Sequence, residues 1–133
     1  MPSTPLPIRA LNHVAVLTKH LAASKAFYRD VLGFAEIVRP PFDFDGAWLF
    51  NYGVQIHLIV DASVPDSSGP IQTRDPHLAF EVDDLDAVAR HLEARGIPFR
   101  KNIVEATARR QIFFRDPDGH HIEVGIYQPS VKI

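Results

Sequence analysis

The chain has 133 residues, 46% of them hydrophobic, which is enough for one domain with its own core and too few for two ordinary ones. A formal net charge of −2, a pI near 6.4 and no basic stripe argue against nucleic acid or a membrane surface as partner, and no apolar run nears the roughly 20 residues that span a bilayer. With no cysteine, disulfides, thiolate metal sites and cysteine nucleophiles are excluded, so any metal must be held by His, Asp, Glu or Gln.

Residues 1–7 carry three prolines and lack the charged and apolar regions of a signal peptide, so they read as an extended leader and a cytoplasmic location is expected. Residues 8–17 alternate as a strand, with Leu11, His13, Ala15 and Leu17 on one face and Asn12, Val14 and Val16 on the other. Thr18 is placed to cap a helix in which Leu21, Ser24, Tyr28 and Val31 recur at helical spacing, with Phe27 beside them. Gly33 is placed to end that helix in a left-handed conformation. A second strand over 34–39 must stop at Pro40-Pro41. Residues 42–46 form a loop with two phenylalanines, and strands over 47–52 and 54–60 follow around Gly53.

A Pro-, Gly- and Ser-containing linker spans 61–74, and then the pattern restarts. Residues 77–82 read as a strand. Asp83-Asp84-Leu85-Asp86 opens a helix with an Asp cap, a buried stripe of Leu85, Val88, Ala89 and Leu92, and Gly96 at its end. Strands over 98–102, 108–115 and 120–127 follow, the last two joined by the turn Asp116-Pro117-Asp118-Gly119; the tail from residue 128 is unassigned. The order strand-helix-strand-strand-strand thus occurs twice, over 8–60 and 75–127, within one domain over 8–128. His13 precedes His57 by 44 positions and His77 precedes Glu123 by 46, which points to an internal duplication.

Strand parity selects four of the polar residues. Ile56, Leu58 and Val60 share one face of their strand, as do Ile122, Val124 and Ile126, and a helix-covered sheet side needs such faces. The opposite faces carry His57 and Glu123, and His13 and His77 stand near the starts of the first strands of the two repeats. Any one strand histidine or glutamate is ordinarily a packing or solvent-facing residue. Four at matching positions form a set, and imidazoles with a carboxylate suit a first-row divalent metal, with positions left for water or substrate.

Over residues 9–127 the chain resembles the vicinal oxygen chelate superfamily, in particular its glyoxalase and bleomycin-resistance branch. The resemblance rests on Asn12-His13-Val14-Ala15-Val16, on Phe27-Tyr28 with Leu32-Gly33-Phe34, on Ile56-His57-Leu58, on Pro76-His77-Leu78-Ala79-Phe80-Glu81-Val82, and on Asp116-Pro117-Asp118-Gly119 with Ile122-Glu123. It implies an α+β fold of two βαβββ modules curling into a cupped mixed sheet. It also implies a divalent metal ion (Zn, Ni, Co, Mn or Fe) held by His13, His57, His77 and Glu123, a small-molecule substrate, and a homodimer. The metal site in such proteins lies within one chain or across a dimer. Glyoxalase I proteins usually have a carboxylate where this chain has His57. Methylmalonyl-CoA epimerase has a glutamine ligand on the same strand, and Gln55 shares the parity of His57.

The expected activity is therefore that of a metal-dependent, glyoxalase-like lyase or isomerase, with the metal stabilising an enediolate and Glu123 as the base. An extradiol-type dioxygenase using two histidines and Glu123, and a metal-poor small-molecule binding or resistance protein, are the alternatives. Phe42, Phe44, Trp48 and Arg110 are candidates to line the substrate pocket, with core packing the competing role for Trp48 and surface exposure that for Arg109. Arg110 and Gln111 face opposite ways, so at most one reaches the cup. His20, His91 and His120 read as surface residues, and His121 shares the parity of Glu123.

Overall fold

The computed structural model of the chain describes residues 3–106 and 109–127. The fold is α+β with two βαβββ modules, and the chain divides into two compact units, Met1–Val64 and Pro65–Ile133. Ala108, expected as the start of a strand, and the tail from Gln128 lie outside the described residues.

In the first unit, β1 (His13–Thr18), β2 (Ala35–Ile37), β3 (Gly46–Asn51) and β4 (Val54–Val60) form a four-stranded sheet in the order β1-β4-β3-β2. β1 pairs parallel with β4, and the other pairings are antiparallel. Tyr52 and Gly53 both take positive φ, 55° and 74°, which suits the tight primed turns that join antiparallel strands.

The crossover is α1 (Leu21–Ala26), continued by a π-helical segment over Phe27–Val31. This departs from the uniform 3.6-residue spacing expected from the sequence. The wider turn shifts the phase of the helix, so that Phe27 and Tyr28 are both buried while Leu21 and Val31 are only half-buried. Tyr28 sits edge-on between Phe27 and Phe34, with ring centroids 5.4 and 6.2 Å away. These rings pack with Val16, Ala47, Leu49, Ile56 and Leu58 as the unit's core. Thr18 does not cap α1 as expected. Its hydroxyl accepts from His20 N at 3.0 Å and lies 2.8 Å from the Ser24 hydroxyl, turning the chain just ahead of the helix. Gly33, at φ +84°, ends the helical run as expected.

The second unit repeats the plan with β5 (His77–Glu81), α2 (Leu85–Ala94), β6 (Phe99–Val104), β7 (Arg109–Arg115) and β8 (His121–Gly125), in the sheet order β5-β8-β7-β6. The Asp84 carboxylate accepts from Ala87 N at 3.0 Å, the cap expected from the sequence. Leu85, Ala89 and Leu92 of α2 are buried, as are Ile112, Phe114, Ile122 and Val124 of the sheet. Each of these side chains other than Ala89 contributes roughly 1.5–3 kcal/mol of burial. In the Asp116–Gly119 turn the Asp116 carboxylate accepts from Asp118 N and His120 N, both at 2.9 Å. Part of the expected linker is tied down within this unit: Arg100 donates to the Ile71 carbonyl at 2.8 Å and Arg115 to the Gly69 carbonyl at 3.1 Å.

Candidate functional site

In the first unit the register places Trp48 of β3 opposite His57 of β4, and Ala15 of β1 beside His57, so that His13 stands one step along from it. Side chains alternate, so His13, His57 and Trp48 all rise from the sheet face opposite the helix. Their rings stack side by side. His13 and His57 are 3.9 Å apart at 12°, and His57 and Trp48 are 4.1 Å apart at 6°. Phe42 leans on Trp48 at 6.0 Å and stacks on Phe44 at 5.3 Å, and the Arg39 guanidinium lies 4.9 and 5.0 Å from those two phenylalanine rings. The core-packing role for Trp48 is corrected by this placement: the indole is half-buried on the histidine face, away from Ala47 and Leu49.

The hydrogen bonds define which nitrogens keep lone pairs. His13 Nδ1 donates to Asn12 Oδ1 at 2.6 Å, leaving Nε2 as an acceptor or ligand atom. His57 Nε2 donates to Gln55 Oε1 at 2.8 Å, leaving Nδ1. Burial, followed by the neighbouring His13 and Arg39, pushes the His57 pKa below its ordinary value and favours the neutral ring.

In the second unit β5 runs parallel to β8, with Ala79 beside Glu123 and His77 beside His121. His77 Nδ1 donates to the Asp75 carbonyl at 2.6 Å, which leaves Nε2 for Glu123, whose Oε1 lies 3.4 Å away. The other carboxylate oxygen, Oε2, accepts a short hydrogen bond from the Tyr127 hydroxyl. Burial, and then the bond to and the charge of Glu123, hold the Tyr127 pKa well above that of an ordinary phenol, so it stays a donor. Gly125 makes this contact possible, since a Cβ there would stand 2.9 Å from Tyr127 Cζ. Phe113 packs edge-on against His77 at 5.5 Å.

His121 is buried and otherwise engaged. Its Nε2 accepts from Gln72 N at 3.1 Å and its Nδ1 lies 3.8 Å from the Asp75 carboxylate. It therefore anchors the segment whose carbonyl sets the His77 tautomer. Arg110 is placed against expectation. Phe113 registers with Glu123, and Ile112 and Phe114 with Val124 and Ile122, so Arg110 falls on the helix-side parity and is exposed. Gln111 is the residue on the Glu123 face, where it accepts from Asn102 Nδ2 at 2.9 Å.

A glyoxalase/bleomycin resistance protein/dioxygenase superfamily model matches residues 10–124. The chain belongs to this superfamily. It is 40% identical over 126 residues to "Glyoxylase I 4" of Arabidopsis thaliana, covering 90% of this chain and 72% of that one. It is 36% identical over 125 residues to the uncharacterized protein YaeR of Escherichia coli, covering 90% and 97%. Among solved structures it is similar to a mutant form of the fosfomycin resistance protein FosX from Listeria monocytogenes, in complex with Mn(II) and 1S,2S-dihydroxypropylphosphonic acid. The TM-score there is 0.77 at 19% identity, covering 92% of this chain and 95% of that one, a likeness of fold.

Within this superfamily member the predicted donors stand as two pairs, His13 with His57 in the first unit and His77 with Glu123 in the second. Among the described residues no three His, Asp or Glu side chains are gathered into one metal-binding group. The second pair fits a metal by its own geometry. Two ligand atoms each roughly 2.1 Å from a tetrahedral ion stand about 3.4 Å apart, which is the His77–Glu123 spacing. The His77 Nδ1 bond to a carbonyl is the usual outer support of a ligating imidazole. Tyr127 and Arg39 went unrecognised in the sequence. Parity in the strand expected over 120–127 could have found Tyr127, which there falls on the side of Glu123, although β8 itself ends at Gly125. Arg39 carried no such signal, because the loop that brings it over two phenylalanines has no period.

Proposed function

We propose that the protein is a divalent-metal-dependent, glyoxalase-like lyase or isomerase acting on a small oxygenated metabolite. The observation that carries this reading is the His77–Glu123 pair: a buried carboxylate 3.4 Å from Nε2 of an imidazole fixed through its Nδ1, with its second oxygen held by Tyr127. His77 and Glu123 are the proposed ligands of the second module. His13 and His57 supply the remaining donors, from the same chain or from a second copy of it. Three neutral imidazoles and one carboxylate suit Zn, Ni, Co, Mn or Fe. The Mn(II) named for the FosX relative and the glyoxylase name of the Arabidopsis relative are in keeping with this.

When bound, the ion supplies Lewis-acid stabilisation of negative charge on the substrate oxygens. The chain's own part is proton transfer and positioning. Glu123 takes a proton from the carbon beside the substrate oxygens and returns it, Tyr127 holding the carboxylate in place and Asp75 holding the His77 ring. A cytoplasmic homodimer completes the proposal, and light scattering tests its assembly.

The deciding experiment is metal analysis of protein purified without chelator. Stoichiometric metal that survives dialysis in the wild type and is absent from His77→Ala and His13→Ala supports the reading. Wild-type protein that stays metal-free after reconstitution with each of the five ions rejects it.

A further inference from the structure

On the first unit alone, the sheet face opposite the helix has features that point to a kind of ligand. His13, His57 and Trp48 rise from adjacent strands, each ring lying within 12° of the plane of the next. Rings stacked in this way present their edges, not their faces, away from the sheet. The C–H edge of the Trp48 indole carries positive partial charge and a π face negative, so a flat π system lies favourably across that edge, beside the imidazole nitrogens left for the ion. At one side stand Phe42 and Phe44, 46% and 44% exposed, an apolar wall that the loop leaves uncovered within this unit.

Arg39 completes the arrangement. Its guanidinium rests over both phenylalanines, and Nη2 donates to the Phe44 carbonyl at 2.7 Å. Its Nε and Nη2 stand 3.3 Å from where a side chain at Gly46 would begin, two positions from Trp48 on the same strand. The missing side chain at Gly46 leaves the guanidinium its place there. Among the described residues no carboxylate lies within ion-pair distance of it. A half-buried guanidinium with one donor committed to a carbonyl keeps a fork suited to a carboxylate.

We propose that this face binds a flat, conjugated acid, its π system lying across the edge of Trp48 and against the exposed Phe42 and Phe44, and its carboxylate on Arg39. The proposal rests on taking this face as the substrate side. It deepens the functional reading by naming a substrate class and does not depend on which ion is bound.

Trp48 is the chain's single tryptophan, so its fluorescence reports on this face. The probes are 4-nitrobenzoate and its neutral isostere 4-nitrobenzamide, titrated into the protein as purified and after chelator treatment. The expected result is saturable quenching with the acid bound about tenfold or more tighter than the amide, the same in both preparations. That preference disappears in Arg39→Gln. Arg39→Met, which keeps an unbranched side chain on the two phenylalanines, is the second variant should Arg39→Gln lose its circular-dichroism signature. No saturable quenching, equal affinity for the two probes, or an acid preference that survives loss of Arg39 overturns the proposal. So does a preference confined to the untreated protein, which would belong to the ion. Failure of the metal reading shows separately, in metal content, which these titrations do not measure.

Discussion

Replacing Tyr127 with phenylalanine tests the second-module pair with little disturbance of packing. The ring stays over Gly125, and only the hydroxyl that bonds Glu123 Oε2 is lost. A hydrogen bond to a charged group is worth about 1.5–3 kcal/mol, and each 1.4 kcal/mol is about tenfold in an equilibrium constant. With Oε2 released, the carboxylate is free to turn away from the direction in which Oε1 faces His77. Metal affinity should therefore fall by about 10–100-fold, the usual cost of losing an outer partner of a ligand. Titration calorimetry of Zn(II) or Mn(II) into chelator-stripped protein measures this, with circular dichroism to confirm the fold. Gly125→Ala should act in the same direction, because its methyl group would displace the Tyr127 ring. Unchanged metal affinity in a folded Tyr127→Phe would refute the idea that Tyr127 positions a metal-binding carboxylate.

Three further outcomes are expected. Ile56→Ala removes a side chain with 0% exposure from the first core and should cost about 2–5 kcal/mol in urea unfolding. Asp84→Ala removes the α2 cap and should cost about 0.5–2 kcal/mol by the same assay, with the aromatic face of the first unit unaffected. The third concerns pH. His57 titrates below its unfolded value of 6.5 in the folded chain, so the unfolded state binds the proton first as pH falls. Its contribution is fully present above pH 6.5 and is lost as pH falls from there through the folded pKa, at a slope of at most about 1.4 kcal/mol per pH unit. In metal-free protein His57→Phe keeps a ring between His13 and Trp48 and should flatten the unfolding midpoint below pH 6.5; an unchanged slope would show that another group governs it.

Periodicity made the two βαβββ modules, the Asp84 cap and the Asp116–Gly119 turn readable, because each is set by local chain geometry. Parity placed His57 and Glu123 opposite the helix-facing sets of their strands for the same reason. The departures begin where the chain stops being regular. The π-helical segment at Phe27–Val31 inserts a phase shift that a fixed 3.6-residue spacing cannot express. Alternation said that only one of Arg110 and Gln111 could face Glu123, and the register of β7 with β8 gives that face to Gln111. For Trp48 a pocket role and a core role competed, and strand register assigns the indole to the histidine face. Arg39 depends on how the loop over 40–45 folds back, and neither spacing nor propensity encodes that.

The histidine at position 57 also bears on the chemistry. If the proposed reading holds, Glu123 is the one carboxylate among the four donors, and three neutral imidazoles at the ion have their free lone pairs committed to it. One of the carboxylate oxygens is tied to Tyr127. The proton taken from the substrate and the proton given back must then pass through the same group, on the same face of the intermediate. A single base that exchanges slowly with solvent returns part of the hydrogen it removed. Turnover in D2O should accordingly give product with incomplete deuterium incorporation, and with the hydrogen returned on the face from which it left. Complete solvent exchange alone would mean only that the buried acid equilibrates with water before return. Delivery to the opposite face would require a second base, and would set Glu123 aside as the sole proton carrier.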